Sequence, residues 1–194
     1  YKGRVAVDLQ APIKELSGKI AWLSSRKGTL PAEQRIVLER AGIIDPESID
    51  DYLIHDGYQA LAKVITEMSP EEVFTTLEKA GLRGRGGAGF PTGTKWRFVY
   101  KANGPKKYVI CNADESEPGT FKDRLILEGD PHSIVEALVI AAYAVGADEG
   151  YLYIRGEYNI AKERVQKAIS QAKELGFLGE NIFGTDFSFN LHIH

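Results

Sequence analysis

The sequence predicts an α/β fold, a parallel sheet with flanking helices preceded by a helical N-terminal segment. Three observations carry this. After residue 106, β-rich apolar runs alternate with helix-length segments, and strands so separated join by right-handed crossovers into a parallel sheet. The closing stretch, Asp186 to His194, alternates strictly, with Phe187, Phe189, Leu191 and Ile193 on one face. Before residue 81 the signals are those of capped helices. At 194 residues and 43% hydrophobic, the chain is long enough for one domain with a sizeable core.

Taken in order, residues 1–44 form an N-terminal extension with weak signals. Ile13 to Arg26 reads as helical, Trp22 as a packing residue, and Arg35-Ile-Val-Leu38 as a short strand. Asp45-Pro46 opens a helix through Tyr52 and Leu53, with proline at its first position. Tyr58 to Thr66 carries Leu61, Val64 and Ile65 at helical spacing. Ser69-Pro-Glu-Glu72 is a capping box, and its helix runs to Lys79 and stops before Gly81. Lys107 to Asn112 reads as a strand, His132 to Val145 as a helix, and Tyr151 to Arg155 as a strand. Ile160 to Leu175 is a long amphipathic helix before the final strand. This makes 45–194 a Rossmann-like domain, in which ligands sit beyond the carboxyl ends of the strands.

A net charge of −3 gives no support to a nucleic-acid partner. No apolar run approaches the ~20 residues that span a bilayer, so membrane insertion is not expected. The opening YKGRVAVDLQ lacks the apolar core of a signal peptide. Cys111 is the only cysteine, which fits a reducing, cytoplasmic setting and excludes a cysteine-ligated cluster held by this sequence alone. A start at Tyr1 and a stop just after a strand suggest a piece of a longer protein.

The stretch GLRGRGGAGFPTGTKW (81–96) contains Gly84-x-Gly86-x-x-Gly89. An ordinary dinucleotide turn follows a strand and opens a helix. Here a capped helix precedes the loop, and Pro91 and Gly93 discourage a helix directly after it. The loop is still chemically suggestive. Gly84, Gly86, Gly87 and Gly89 let backbone N–H groups approach a ligand, while Arg85 and Lys95 add affinity for phosphate. Phe90 and Phe98 add aromatic faces. A phosphorylated ring ligand suits this mixture, and a solvated flexible loop is the plain alternative.

Asn112-Ala-Asp-Glu-Ser-Glu-Pro-Gly119 lies at the carboxyl end of a predicted strand. Asp114, Glu115 and Glu117 could accept hydrogen bonds from ribose hydroxyls or a flavin edge, hold Mg²⁺, or form an acidic loop balanced by Lys122 and Arg124. Cys111 reads as a strand residue of the core. His192 and His194 project the same way from one strand, but no third zinc ligand is evident.

With both loops in view, GLRGRGGAGFPTGTKW and ICNADESEPGTFKDR together resemble the NADH-binding flavoprotein subunit of respiratory complex I and the related diaphorase subunits of NAD-linked hydrogenases and formate dehydrogenases. GYLYIRGEYNIAKERVQKAI and FGTDFSFNLHIH continue the resemblance, which spans about residues 45–194. It implies an FMN cofactor touched by Gly84, Gly86, Lys95, Asn112, Asp114 and Ser116, with Arg85, Gly87, Gly89 and Glu115 in the same cofactor-binding set. Phe90 and Phe98 would sandwich the adenine of NADH, and Glu117 would meet its ribose or nicotinamide side. The flavin is the hydride acceptor, so no side chain is expected to be catalytic. Glu115-Ser116-Glu117 is the form found in complex I, where the hydrogenase subunits more often have Glu-Gly-Asp, so a quinone-linked complex is favoured. The resemblance also implies iron–sulfur partner subunits, notably a thioredoxin-like [2Fe–2S] one, at the cytoplasmic face of a membrane. Family members continue into a second glycine-rich loop, a ubiquitin-like domain and a helical bundle ligating a [4Fe–4S] cluster. None of these is in this sequence, so part of the flavin pocket is expected to lie outside it. The alternatives are a nucleotide-binding module without turnover and a Mg²⁺-dependent phosphoryl-handling enzyme.

Overall fold

The computed structural model describes residues 35–194, of which Val37–His194 form one compact unit. The expected helix over Ile13 to Arg26, and Trp22 with it, lies outside the described residues. Four helices come first: α1 (Ile49–Ile54), α2 (Gln59–Glu67), α3 (Pro70–Lys79) and α4 (Thr92–Lys101). The chain then alternates through β1 (Tyr108–Ala113), α5 (Lys122–Gly129), α6 (Pro131–Val145), β2 (Glu149–Ile154), α7 (Asn159–Glu174) and β3 (Asn190–Ile193). The strands pair in parallel in the order β1-β2-β3, with Ile110 opposite Tyr151 and Tyr151 opposite His192. This is the parallel α/β sheet that the alternation predicts.

Sequential strand order with right-handed crossovers places the connecting helices on one face of the sheet. The core forms there. Val135, Val139 and Ala142 of α6 and Ala161, Val165 and Ala168 of α7 are buried with Leu152 of β2, Leu191 of β3 and Phe189 just before β3. Within the apolar run Ala137–Val145, Leu138, Val139, Ala141, Ala142, Ala144 and Val145 are buried, while Ala137 is exposed. No helix among the described residues is long and apolar enough to cross a membrane.

Local signals explain most boundaries. Ser69 and Glu72 form the expected capping box on α3, and Gly81 follows it in the left-handed conformation at φ 65°. Three expectations need correction. The alternating run from Asp186 to His194 is a strand only over Asn190–Ile193, and residues 186–188 lie outside it. Residues 35–38 bend and turn instead of forming a strand, and Ile36 and Val37 are exposed; among the described residues no strand pairs with them, and β propensity alone does not make a strand. Asp45-Pro46 does not open α1. Asp45 instead organises a turn, accepting from the Glu47 N–H, and the cap is Ser48, whose hydroxyl accepts from the Asp51 N–H.

A buried polar chain ties the early helices to α6 and α7. The Glu136 carboxylate accepts from Tyr52 Oη (2.5 Å), Tyr58 N (3.0 Å) and Leu61 N (3.0 Å), capping α2 from across the core. Gln171 donates its amide to the Glu47 carbonyl, which leaves its oxygen facing His132 Nε2 at 3.0 Å. That nitrogen therefore carries the proton, and Nδ1 is the acceptor for the Tyr58 hydroxyl at 3.0 Å. Burial pushes the His132 imidazole below its ordinary value, in keeping with a neutral ring. Asp130, bonded to Arg40 at 2.9 Å, is raised by burial.

The sign of the pH dependence follows. Between the depressed folded value and about 6.5, the unfolded chain binds the His132 proton more readily than the folded one. Stability from this site should be complete above about pH 6.5 and decline below it. Asp130 acts oppositely, its contribution being lost as pH rises through its raised folded value. Thermal midpoints measured from pH 7.5 down to pH 5.5 should fall, and fall less in His132→Gln. An equal slope in both proteins would show that His132 is not the titrating group.

Candidate functional site

The glycine loop is closed at its neck by backbone pairing. Gly84 N donates to the Phe90 carbonyl (3.0 Å), Thr92 N to that of Leu82 (2.9 Å), and Arg83 faces Pro91 in an antiparallel bridge. Arg83 also reaches across to the Gly89 carbonyl at 3.1 Å. Gly87 (φ 117°) and Gly89 (φ 62°) take conformations that side chains resist. At Gly86, Gly87 and Gly89 a Cβ would meet nothing within 4 Å, so the outer face of the loop is open.

The loop feeds straight into α4, contrary to the reading that Pro91 and Gly93 prevent a helix there. Pro91 is the N-cap, where its missing N–H costs nothing. Gly93 is buried against α3, where a Cβ would stand 2.6 Å from the Phe74 carbonyl oxygen. It is the point of closest helix approach, not a breaker. Arg97 fixes the same pair of helices through Glu71 and Glu78. A short connection then joins α4 to the start of β1.

Lys95 is exposed one turn into α4. Phe90 and Phe98 are 49% and 61% exposed, with ring centroids 6.4 Å apart and planes at 49°. A ring held between them needs near-parallel faces about 7 Å apart, two van der Waals contacts. The two side chains are therefore adjacent, with their planes well away from parallel.

The acidic loop leaves the carboxyl end of β1. Asp114 N donates to Asn112 Oδ1 (3.1 Å), and Ser116 Oγ donates to Asp114 Oδ2 (2.6 Å). Asn112, Asp114, Ser116 and Glu117 are exposed, while Glu115 is buried at 4%. Its carboxylate accepts from Asp123 N (2.9 Å), Arg124 N (3.2 Å) and Tyr158 Oη (3.2 Å). Burial alone would raise this carboxyl, but the Asp123 and Arg124 N–H groups outweigh it and hold it below the ordinary range. With Glu115 turned inward, the three carboxylates do not converge as a Mg²⁺ site requires. Among the described residues no group of three metal-ligating side chains gathers anywhere.

Among the described residues, no hydrogen bond or ion pair joins the glycine loop to the acidic loop. Cys111 is half-buried, and burial pushes its thiol up to about 11, which suits a strand residue. His192 lies 3.4 Å from Glu149 and stacks on Tyr151, while His194 stacks on Tyr153. Sequence reasoning missed α5, Arg155 and Tyr158. The run Leu125-Ile-Leu127 was a signal for α5, but its cap is remote in sequence.

Residues 77–194 match the family model described as the Nuo51 FMN-binding domain. The chain belongs to that family. HndC, a subunit of the NADP-reducing hydrogenase of Solidesulfovibrio fructosivorans, is 55% identical over 82% of this chain and 32% of its own length. One subunit of the NADH-quinone oxidoreductase of Aquifex aeolicus is 53% identical over 81% of this chain and 37% of its own. This Nuo51 domain thus spans about a third of the curated relatives it matches. Its fold is also that of part of an NAD+-reducing [NiFe]-hydrogenase in the H2-reduced state, with a TM-score of 0.61 at 28% identity, covering 91% of this chain and 31% of that one. Both loops of the site lie within the matched family region.

Proposed function

We propose that residues 45–194 are an FMN- and NADH-binding domain, part of a flavin-dependent NADH dehydrogenase subunit. The observation that carries this is the glycine loop within a Nuo51 FMN-binding domain: its neck is pinned and its outer face is open to a ligand. The donor set fits FMN. Backbone N–H groups of Gly84 to Gly89 with Arg85 and Lys95 suit a phosphate, and Asn112, Asp114 and Ser116 offer hydrogen bonds to polar ring and ribitol groups. Phe90 and Phe98 would enclose the adenine of NADH, with Glu117 toward its ribose or nicotinamide. Bound FMN supplies hydride acceptance and single-electron release. The chain's own residues bind, orient and exclude water.

In the whole protein, electrons would pass to iron–sulfur partner subunits, including a thioredoxin-like [2Fe–2S] subunit, at the cytoplasmic face of a membrane. Glu115-Ser116-Glu117 favours a quinone-linked complex. The second reading, a hydrogenase diaphorase subunit, is favoured by the 55% identity to HndC, whose own name specifies NADP.

The test is a titration of the 194-residue chain with FMN, followed by quenching of flavin fluorescence. Weak but saturable quenching is expected, because part of the pocket lies in the rest of the subunit. Gly86→Val should abolish it with an unchanged circular dichroism spectrum and thermal midpoint, since a Cβ there meets no protein atom within 4 Å. A Gly86→Val protein that binds FMN like the wild type would contradict the assignment.

A further inference from the structure

The acidic loop is gripped from behind by groups that do not face its open side. Glu115 is held at both ends. Its carboxylate takes the Asp123 and Arg124 N–H groups and the Tyr158 hydroxyl, and its main-chain carbonyl takes Arg155 Nη1 at 2.8 Å. Each partner is itself oriented. Arg155 is fixed by two hydrogen bonds to Glu157, at 3.0 and 3.3 Å, and the Arg124 guanidinium lies 5.4 Å over the Tyr158 ring. Asp114 and Ser116, on either side of Glu115, are exposed and bonded to each other.

We infer that Glu115, Arg155 and Tyr158 form a brace that holds the 114–117 loop in place, so that Asp114 and Ser116 are presented to the flavin while Glu115 is a positioning residue. The last part rests on the FMN reading above. The physical logic is a division of labour along one short stretch. Phe121 precedes α5 and has no side chain able to cap it, so α5 takes its cap from Glu115. A carboxylate at a helix N-terminus gains from the N–H groups and the helix dipole together. That bond anchors the middle of the loop to α5, and Arg155 and Tyr158 anchor it to the segment between β2 and α7. With its centre tied to two elements, the loop keeps its outward groups in one arrangement before any ligand arrives, which lowers the ordering cost of binding.

The test uses the full chain with Glu115→Gln, Tyr158→Phe and Arg155→Lys, and two readouts. Hydrogen exchange reports the brace without any ligand. Amides over 113–124 should exchange about tenfold faster in Glu115→Gln and Arg155→Lys, while α2 and α6 keep wild-type protection, a change matching one charge-assisted hydrogen bond. FMN titration reports the consequence. Glu115→Gln and Tyr158→Phe should each weaken binding, the double variant should be no weaker than the worse single, and the absorbance spectrum at saturation should match wild type. Unchanged exchange in all three variants overturns the brace. Unchanged exchange with a shifted flavin spectrum in Glu115→Gln alone overturns it in favour of direct contact. A wild-type chain that never quenches FMN fails the FMN reading by itself, and the exchange data still decide whether the brace exists.

Discussion

Glu136→Ala should remove about 3 kcal/mol or more of folding stability, read as a shift of the urea midpoint. Truncation leaves three buried donors, Tyr52 Oη, Tyr58 N and Leu61 N, without an acceptor. Each unsatisfied buried group costs about 1–3 kcal/mol. A domain has only about 5–15 kcal/mol in total, so this single change takes a large share of it. The energy is lost at a joint. Tyr58 enters α2 in the left-handed conformation at φ 59° and offers no side-chain cap, so Glu136 serves instead. Glu136→Gln keeps one acceptor in the same space and should lose clearly less. A midpoint unchanged in the alanine variant would mean that Glu136 does not hold α2.

Glu136 also shows what could and could not be read from the chain. It is the single charge within the apolar stretch Ile134 to Val145, and a charge in a buried helix needs partners. The need was legible, but not the identity of the partners, because Tyr52 and Tyr58 lie far away in sequence. The same boundary runs through the whole fold. The capping box at Ser69 and Glu72 is local and reads correctly, as do β1 and β2, whereas the run at 35–38 is no strand and the run from Asp186 to His194 is one only over Asn190–Ile193. Helix α5 was missed because Glu115, its cap, sits beyond a turn. At the site, the glycines and carboxylates were visible by composition. Which carboxylate turns inward was not, since Glu115 differs from Asp114 and Glu117 only in what folds against it.

Gly93→Val should destabilise the domain and weaken FMN binding together. Helix propensity works slightly in favour of the substitution, by less than the ~1 kcal/mol of a helix interior because Gly93 is the second residue of α4. Packing works against it. A Cβ would lie 2.6 Å from the Phe74 carbonyl oxygen, 2.8 Å from Glu78 Cγ and 3.1 Å from Glu78 N. Two of these are backbone atoms of α3 and cannot swing aside. Overpacking of this kind costs about 1–3 kcal/mol, and valine adds two further methyl groups to a gap that does not hold one. Packing therefore wins, with a net loss of about 2 kcal/mol, and Gly93→Ala should lose less. When α4 is pushed off α3, the loop moves with it, because Thr92 N is bonded to Leu82 and Gly84 N to Phe90. The contrast with Gly86→Val is the useful one. Gly86 faces open space, so its substitution should remove the ligand and spare the fold, while Gly93 faces protein, so its substitution should damage both. A Gly93→Val protein with wild-type stability would show that the two helices have room to part, and that the glycine loop is not set by their contact.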